Sequence, residues 1–361
     1  MILYTKKESD ELNEIEKLGK KIILQALSLK ASDIHFHPGQ TKTLVQLRID
    51  SFLYQVRTIP TPTAEKLISH FKFSSGMDIG EKRRPQSGAQ VIKLMSHEVN
   101  VRMSTIPTPF QESLVIRILD HDTVKNPKQL CLFPRHGTKL ESLIQHPHGL
   151  LLFTGSTGSG KTTTIYSLLH WISKKDKKRI ITIEDPIERP NEVFIQLEVN
   201  EKAGITFAEG LKACLRHDPD IIMIGEIRDE TTAQIAIRAA MTGHLVVSTL
   251  HTKNTYESVY RFLEFGVPKS YIEQTFIGVV NQVLVTLKCP FCKNCCFDCK
   301  RNREKHRFAL YEILSGDSLK AAVGISRHDM TQMRTLNNEL RLAWALGYVE
   351  ECNFFGGALN G

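Results

Sequence analysis

The sequence predicts an α/β protein in three parts. A small α+β N-terminal domain comes first, then a domain built on a parallel sheet, then a small cysteine-bearing and helical C-terminal subdomain. Three observations carry this. From residue 148, apolar runs alternate with helical patterns: LLLFT, RIITIED, DIIMIGE and LVVSTLH, with a helix between each pair. Such βαβ alternation implies a parallel sheet covered by helices. The residues before it show two-residue alternation and one amphipathic helix, an α+β signature. Five of the eight cysteines fall between Cys289 and Cys299, which is not a scattered core pattern. The expected division is 1–122, a linker at 123–147, 148–284 and 285–361; 361 residues suit about two domains.

Residues 10–30 read as an amphipathic helix with Ile15, Leu18, Ile22, Ala26 and Leu29 on one stripe. The segment ASDIHFHP spans 31–38. Val45, Leu47 and Ile49 then alternate with polar residues, as do Val99, Val101 and Met103, each pattern fitting a half-buried strand. Leu114 to Leu119 is apolar except for Arg117. An arginine there must find an anion or face water. Residues 125–149 hold three of the 14 prolines and few apolar runs, which suggests a linker with short helical turns. After the cysteines, helical patterns run to about Tyr348, and the tail beyond is expected to fray.

Gly155 to Thr162 reads GSTGSGKT, the G-x-x-x-x-G-K-T spacing of a P-loop. The loop and its flank, Gly155, Ser156, Thr157, Gly158, Ser159, Gly160, Lys161, Thr162 and Thr163, are the candidate nucleotide-binding residues. Glycines let backbone N–H groups turn toward phosphates. Lys161 would reach the β- and γ-phosphates of ATP, and the Thr162 hydroxyl would ligate Mg²⁺. An apolar strand precedes the loop, and a helix buried through Ile165, Leu168, Leu169 and Ile172 follows. Acidic groups for metal and water belong at the carboxyl ends of neighbouring strands. IITIEDPIE offers Glu184 and Asp185, and DIIMIGEIRD offers Glu226; Glu188 and Asp229 read equally well as loop charges. His244 and His251 flank LVVSTL, where either could sense the γ-phosphate or a neighbouring subunit.

Four motifs in order, GSTGSGKTTT, TIEDPIE, DPDIIMIGEIRD and TGHLVVSTLHT, resemble the traffic ATPases of type II secretion and type IV pilus systems. ASDIHFHP and the segments RMSTIPT and ESLVIRIL resemble that family's N-terminal domain. The likeness covers roughly residues 30–315. It implies a homo-hexameric ring with a RecA-like motor domain, in which Glu184 orients the attacking water and Glu226 acts on the Mg²⁺ shell. It implies that Arg102 and Arg117 reach the phosphates, with Arg216 a weaker candidate. Two departures stand out. Gln86-Ser87-Gly88-Ala89 lacks an arginine common in the family, and Arg48-Ile49-Asp50-Ser51 replaces a usual Asp-Gly turn. The N-terminal side is also short, which is shared with retraction and competence ATPases.

CPFCKNCCFDC, residues 289–299, holds two C-x-x-C pairs. Cys289, Cys292, Cys296 and Cys299 would suit tetrahedral Zn²⁺. With Cys295 in place of Cys296 the spacing also fits an iron–sulfur pattern. Assembly ATPases of the family carry a cysteine subdomain here and retraction ATPases generally do not. The combination therefore resembles the competence pseudopilus assembly class. The implied partners are a polytopic membrane platform protein and, indirectly, the pseudopilins.

The formal charge of +8 is concentrated. Lys174 to Arg179 carries five positive charges and one negative; Lys288 to Arg307 carries seven and two. That argues against a nucleic-acid groove and against direct sequence-specific nucleic-acid binding, although a RecA-like translocase is the alternative from another class. Retraction and a non-hydrolysing scaffold are further alternatives. No apolar run approaches a membrane span, and the N-terminus is not a signal peptide. The expectation is a cytoplasmic protein, peripheral at the cytoplasmic face of the membrane.

Overall fold

The computed structural model describes residues 6–49, 52–94, 98–119, 126–289, 291, 307–324 and 334–349. It divides into two compact units, Met1–Asp122 and Thr123–Gly361.

The first unit is one antiparallel sheet backed by two helices. Its strands are β1 (Asp33–Pro38), β2 (Lys42–Ile49), β3 (Phe52–Pro60), β4 (Gln86–Lys93), β5 (Glu98–Pro107) and β6 (Glu112–Leu119), in the order β3-β2-β1-β6-β5-β4. Helix α1 (Lys6–Ser28) packs on α2 (Thr61–Ser74) and β1. The alternating residues do what their period requires: Val45, Leu47, Ile49, Val99, Val101 and Met103 are all buried. A charged pair lies inside. Lys72 Nζ donates to Glu112 Oε1 at 2.8 Å and to the Glu81 carbonyl at 2.7 Å. Burial is tolerable because each charge meets a partner.

The second unit holds α3 (Pro127–Leu130), α4 (Pro134–Ile144), β7 (Gly149–Thr154), α5 (Lys161–Asp176), β8 (Ile180–Glu184), β9 (Ile195–Glu198), α6 (Phe207–Cys214), β10 (Ile221–Ile224), α7 (Glu230–Met241) and β11 (Leu245–Leu250). It continues through α8 (Thr255–Glu264), α9 (Lys269–Thr275), β12 (Phe276–Thr286), β13 (Arg307–Ser315), α10 (Asp317–Gly324) and α11 (Leu336–Ala345). The sheet order is β13-β12-β7-β11-β10-β8-β9, and only β13 runs antiparallel. Both faces are covered, which is why the strands read as unbroken apolar runs. Leu150, Leu152, Ile181, Ile183, Ile222 and Ile224 face one core. Leu151, Phe153, Ile180, Ile221 and Met223 face the other, against Ile165, Leu168, Leu169 and Ile172 of α5.

Two stretches differ from the sequence expectation. The expected linker contains α3 and α4, and Leu140, Leu143 and Ile144 are buried in the second unit's core. Pro134 fits because a proline is tolerated at the first helical position. The segment expected to be helical after the cysteines begins with β13, which pairs with β12 from Gly278↔Ser315 to Thr286↔Arg307. The expected break at 285 thus falls inside a strand pair of one sheet. Glu312 of β13 is buried and caps two helices: Oε1 accepts from Thr255 N at 3.0 Å, and Oε2 accepts from Leu336 N at 2.9 Å.

His136 of α4 is buried between Phe133 and Tyr311, with its Nδ1 unpartnered. Its Nε2 lies 3.6 Å from Glu339, a carboxylate already hydrogen-bonded by Arg135. Burial, then the charges of Arg135 and Arg334, push the imidazole down to about 4 from 6.5. The contact with Glu339 is therefore not an ion pair at neutral pH. Between these two values the unfolded chain binds the proton and the folded chain does not. Stability is full above about pH 6.5 and falls as pH drops toward 4, by up to about 3 kcal/mol from this one group. Urea unfolding midpoints across that range should show the decline, and His136→Leu should flatten part of it.

Candidate active site

The loop after β7 carries Gly155 at φ 133° and Gly160 at φ 86°, in the region that disfavours side chains. A Cβ on Gly155 would meet the Gln282 carbonyl at 2.5 Å. The loop is therefore shaped by its own glycines and by β12 beside it. Gln282 Nε2 donates to the Ser159 carbonyl at 2.7 Å. The Ser159 hydroxyl is buried and unpartnered inside the loop. Lys161 Nζ donates to the carbonyls of Gly155 (2.7 Å) and Ser156 (3.0 Å). Burial lowers its pKa, and the Glu226 carboxylate opposes this. A loop with glycines at 155, 158 and 160, a curled ammonium and an orphaned buried hydroxyl together fit a phosphate chain. Thr162 is half-buried and Thr163 exposed. On the other flank, Thr154 Oγ1 accepts from Thr252 N at 3.0 Å, tying β7 to the segment after β11.

The carboxylates stand at the same edge, as a parallel sheet requires. Glu226 follows β10, and its Oε1 accepts a hydrogen bond from Arg228. His251 Nε2 lies 3.9 Å from Glu226 Oε2, and Arg228 lies 3.8 Å from Asp185 Oδ2. The His251 pKa is lowered, first by burial and then by the Lys161 charge, with Glu226 opposing. Lys161, Glu226, His251 and Arg228 thus share one electrostatic neighbourhood. Glu184 ends β8 and is buried. Its Oε1 accepts from Tyr166 OH and Thr182 Oγ1, both at 2.6 Å, and from Gln196 Nε2 at 3.2 Å.

Several expectations are corrected. His244 precedes β11, at the opposite end from His251; six strand residues separate them, about 20 Å. Its ring Nδ1 lies 3.1 Å from the Ala239 carbonyl. It cannot sense a phosphate held by the loop. Arg216, exposed ahead of β10, lies toward that same far edge. Asp229 is the N-cap of α7, accepting from Thr232 N at 2.8 Å. In the first unit, Arg117 Nε donates to Asp33 Oδ1 at 2.9 Å, so it finds its anion within the sheet. Arg102 is exposed directly across the strand pair from Arg117. Of the cysteines in the cluster, Cys289 is described and buried. Cys292, Cys295, Cys296 and Cys299 lie outside the described residues.

Arg228, Gln282, Tyr166, Thr182 and Gln196 escaped the sequence reading. Only Tyr166 left a signal there: a polar tip within the buried face of α5 needs a partner.

A P-loop at the carboxyl edge of a parallel sheet, with glutamates on two neighbouring strands, defines a P-loop ATPase. The model of the family described as "Type II/IV secretion system protein" matches residues 8–347, and the chain belongs to that family. It is 46% identical over 347 residues to competence protein ComGA of Bacillus subtilis, covering 95% of this chain and 98% of that protein. It is 39% identical to type II secretion system protein E of Dickeya dadantii, covering 79% of this chain and 59% of that longer protein. Among solved structures, the pilus retraction motor PilT with bound ADP has 27% identity and a TM-score of 0.66, covering 92% of this chain and 94% of that one. The Legionella pneumophila ATPase DotB, at 20% identity and a TM-score of 0.73 over 92% of each chain, shares the fold. The chain is an ATPase that binds nucleotide.

Gln282 braces the phosphate loop from β12, and replacing it leaves the Ser159 carbonyl without its donor. Gln282→Leu is expected to weaken ATP binding about tenfold without unfolding the protein, measured by nucleotide titration alongside circular dichroism.

Proposed function

We propose that this ATPase powers assembly of a competence pseudopilus, the fibre used for DNA uptake. The observation that carries this is 46% identity to competence protein ComGA along nearly the whole of both chains. ATP would lie with its phosphates in the loop 155–160. Lys161 would leave its carbonyl partners for the β- and γ-phosphates, and Thr162 with Glu226 would hold Mg²⁺, Glu226 through water. The ion would screen the phosphate charge. Glu184 would orient the attacking water as its base. His251, beside Glu226, would respond to the γ-phosphate end. Arg102 and Arg117 of the first unit would supply cations to the phosphates within a ring of six copies; for Arg117 this requires release from Asp33. The division of labour follows 1–122 for the N-terminal domain and the second unit, with its seven-stranded sheet, for the motor.

The partner of the ring would be a polytopic membrane platform protein, with pseudopilins moved indirectly. Among the described residues no helix is long and apolar enough to cross a membrane. A peripheral place at the cytoplasmic face of the membrane would set the ATPase beside that platform protein. Zinc held by Cys289, Cys292, Cys296 and Cys299, with Cys295 as the alternative ligand, would brace the subdomain beside the sheet; thiolate donors suit that ion.

Lys161→Ala is expected to lose both ATP binding and hydrolysis, and Glu184→Gln to keep binding while losing at least 100-fold in kcat. In cells, disruption of the gene should abolish DNA uptake with growth intact. Hyperpiliation instead would favour the retraction reading, and turnover stimulated by bare DNA with steep salt dependence would favour a translocase. Metal analysis of the purified protein should find one zinc per chain, lost together with Cys292→Ser; iron in its place would sink the zinc assignment.

A further inference from the structure

We infer that Tyr166 is a positioning residue that fastens Glu184 to the phosphate-loop helix, so that the base and the loop are held as one piece. The inference rests on the proposal that Glu184 orients the attacking water.

The hydrogen bonds have a fixed direction. Asn191 N donates to Gln196 Oε1 at 2.6 Å, which sets the orientation of the Gln196 amide. Its NH₂ group therefore faces the other way and donates to the Tyr166 oxygen at 2.9 Å. A phenol has one proton, and with its oxygen accepting from Gln196 that proton goes to Glu184 Oε1 at 2.6 Å. Thr182 donates to the same oxygen at 2.6 Å, and Gln196 reaches it at 3.2 Å. None of these bonds goes to Oε2. The arrangement pins one carboxylate oxygen and reserves the other.

Tyr166 is five residues beyond Lys161, about 7.5 Å along α5. Its ring packs edge-on to Phe194 at 5.8 Å. One turn later His170 repeats the attachment, with its ring 4.6 Å from Phe194 and Nε2 2.6 Å from Asn191 Nδ2. Residues four apart share a helix face. The helix that begins at the phosphate loop thus grips the segment between β8 and β9 at two points. Phe194 and Tyr166 are buried, so water does not compete for the bonds. Burial and the neighbouring carboxylate also raise the Tyr166 pKa, which keeps the phenol protonated and donating.

Donors converging on one oxygen of a carboxylate fix the direction in which the other oxygen points. Steady-state ATP hydrolysis by the full-length protein, with kcat and KM separated, distinguishes this from a packing role. Tyr166→Phe keeps the ring and loses the proton. It is expected to lower kcat about tenfold and to leave the KM for ATP within about twofold. Thr182→Val should lower kcat with KM kept in the same way, and Thr182→Ser should restore it; this pair decides the matter if Tyr166→Phe fails to fold. Wild-type kcat in folded Tyr166→Phe, or a loss of kcat matched by an equal rise in KM, overturns the inference. If Glu184→Gln is inactive in the same assay, the reading of Glu184 as base survives that result. Turnover retained by Glu184→Gln overturns both.

Discussion

The nucleotide edge depends on β7 being held from both sides. It pairs in parallel with β11 and with β12, so that Thr154 lies opposite Leu250 on one flank and Asn281 on the other. Each flank then sends a side chain or a loop back toward the turn that follows β7. Thr252 grips Thr154, Asn281 Nδ2 donates to the Lys253 carbonyl at 2.9 Å, and Gln282 grips Ser159. A glycine-rich turn has little of its own to resist fraying, because glycine loses the most conformational freedom on folding. Each of these buried bonds contributes only about 1 kcal/mol net, yet leaving one buried group unpaired costs more than that. Their joint effect is to limit the shapes the turn can take, which is what a phosphate cradle needs.

Electrostatics at that edge follows the same economy. Lys161 sits on two carbonyls, Arg228 on Glu226, and His251 Nε2 lies 3.9 Å from Glu226. Lys161, Arg228 and Glu226 each already have a partner that can be exchanged. A phosphate arriving at the loop would replace neutral carbonyls with a charged acceptor for Lys161, a stronger bond than the ones broken. Arg228 reaches Asp185 as well as Glu226, so it spans the ends of two strands. The two acidic motifs that are far apart in sequence are thereby joined through one guanidinium.

What could be read from residues alone was local or periodic. Strands β7, β10 and β11 announced themselves as apolar runs between helices, and the P-loop as a spacing. The class of ATPase followed from four motifs in order, and membership of the secretion family bears it out. The misses have physical reasons. Helix α4 has a short apolar stripe between prolines, so composition suggested a linker. RFALYEILS in β13 has buried residues on both faces, which period-two counting does not distinguish from a helix. His244 and His251 look equivalent as flanks of one strand, but a strand has two ends and only one faces the loop. The Tyr166, Thr182, Glu184 and Gln196 cluster spans three elements; nothing within any one of them states the contact.

Helix α5 ties these strands of argument together. Its N-terminus opens directly from the phosphate loop, where the partial positive charge of the helix favours anions. Its last turn carries Lys174 and Lys175, and Lys177 caps it in a left-handed conformation, so cations occupy the end where the partial charge is negative. The basic run that lifts the chain's net charge is therefore placed where it suits the helix, at the edge away from the nucleotide. Between those two ends the buried side of α5 is mostly apolar; Thr164 meets Tyr311, while Tyr166 and His170 meet Glu184 and Asn191 at and after the end of β8. A helix built only for burial would put leucine or isoleucine at both positions. Two polar side chains on one face, each matched to a partner in the same neighbouring segment, make α5 a connector between the loop that holds phosphate and the strand that ends in Glu184.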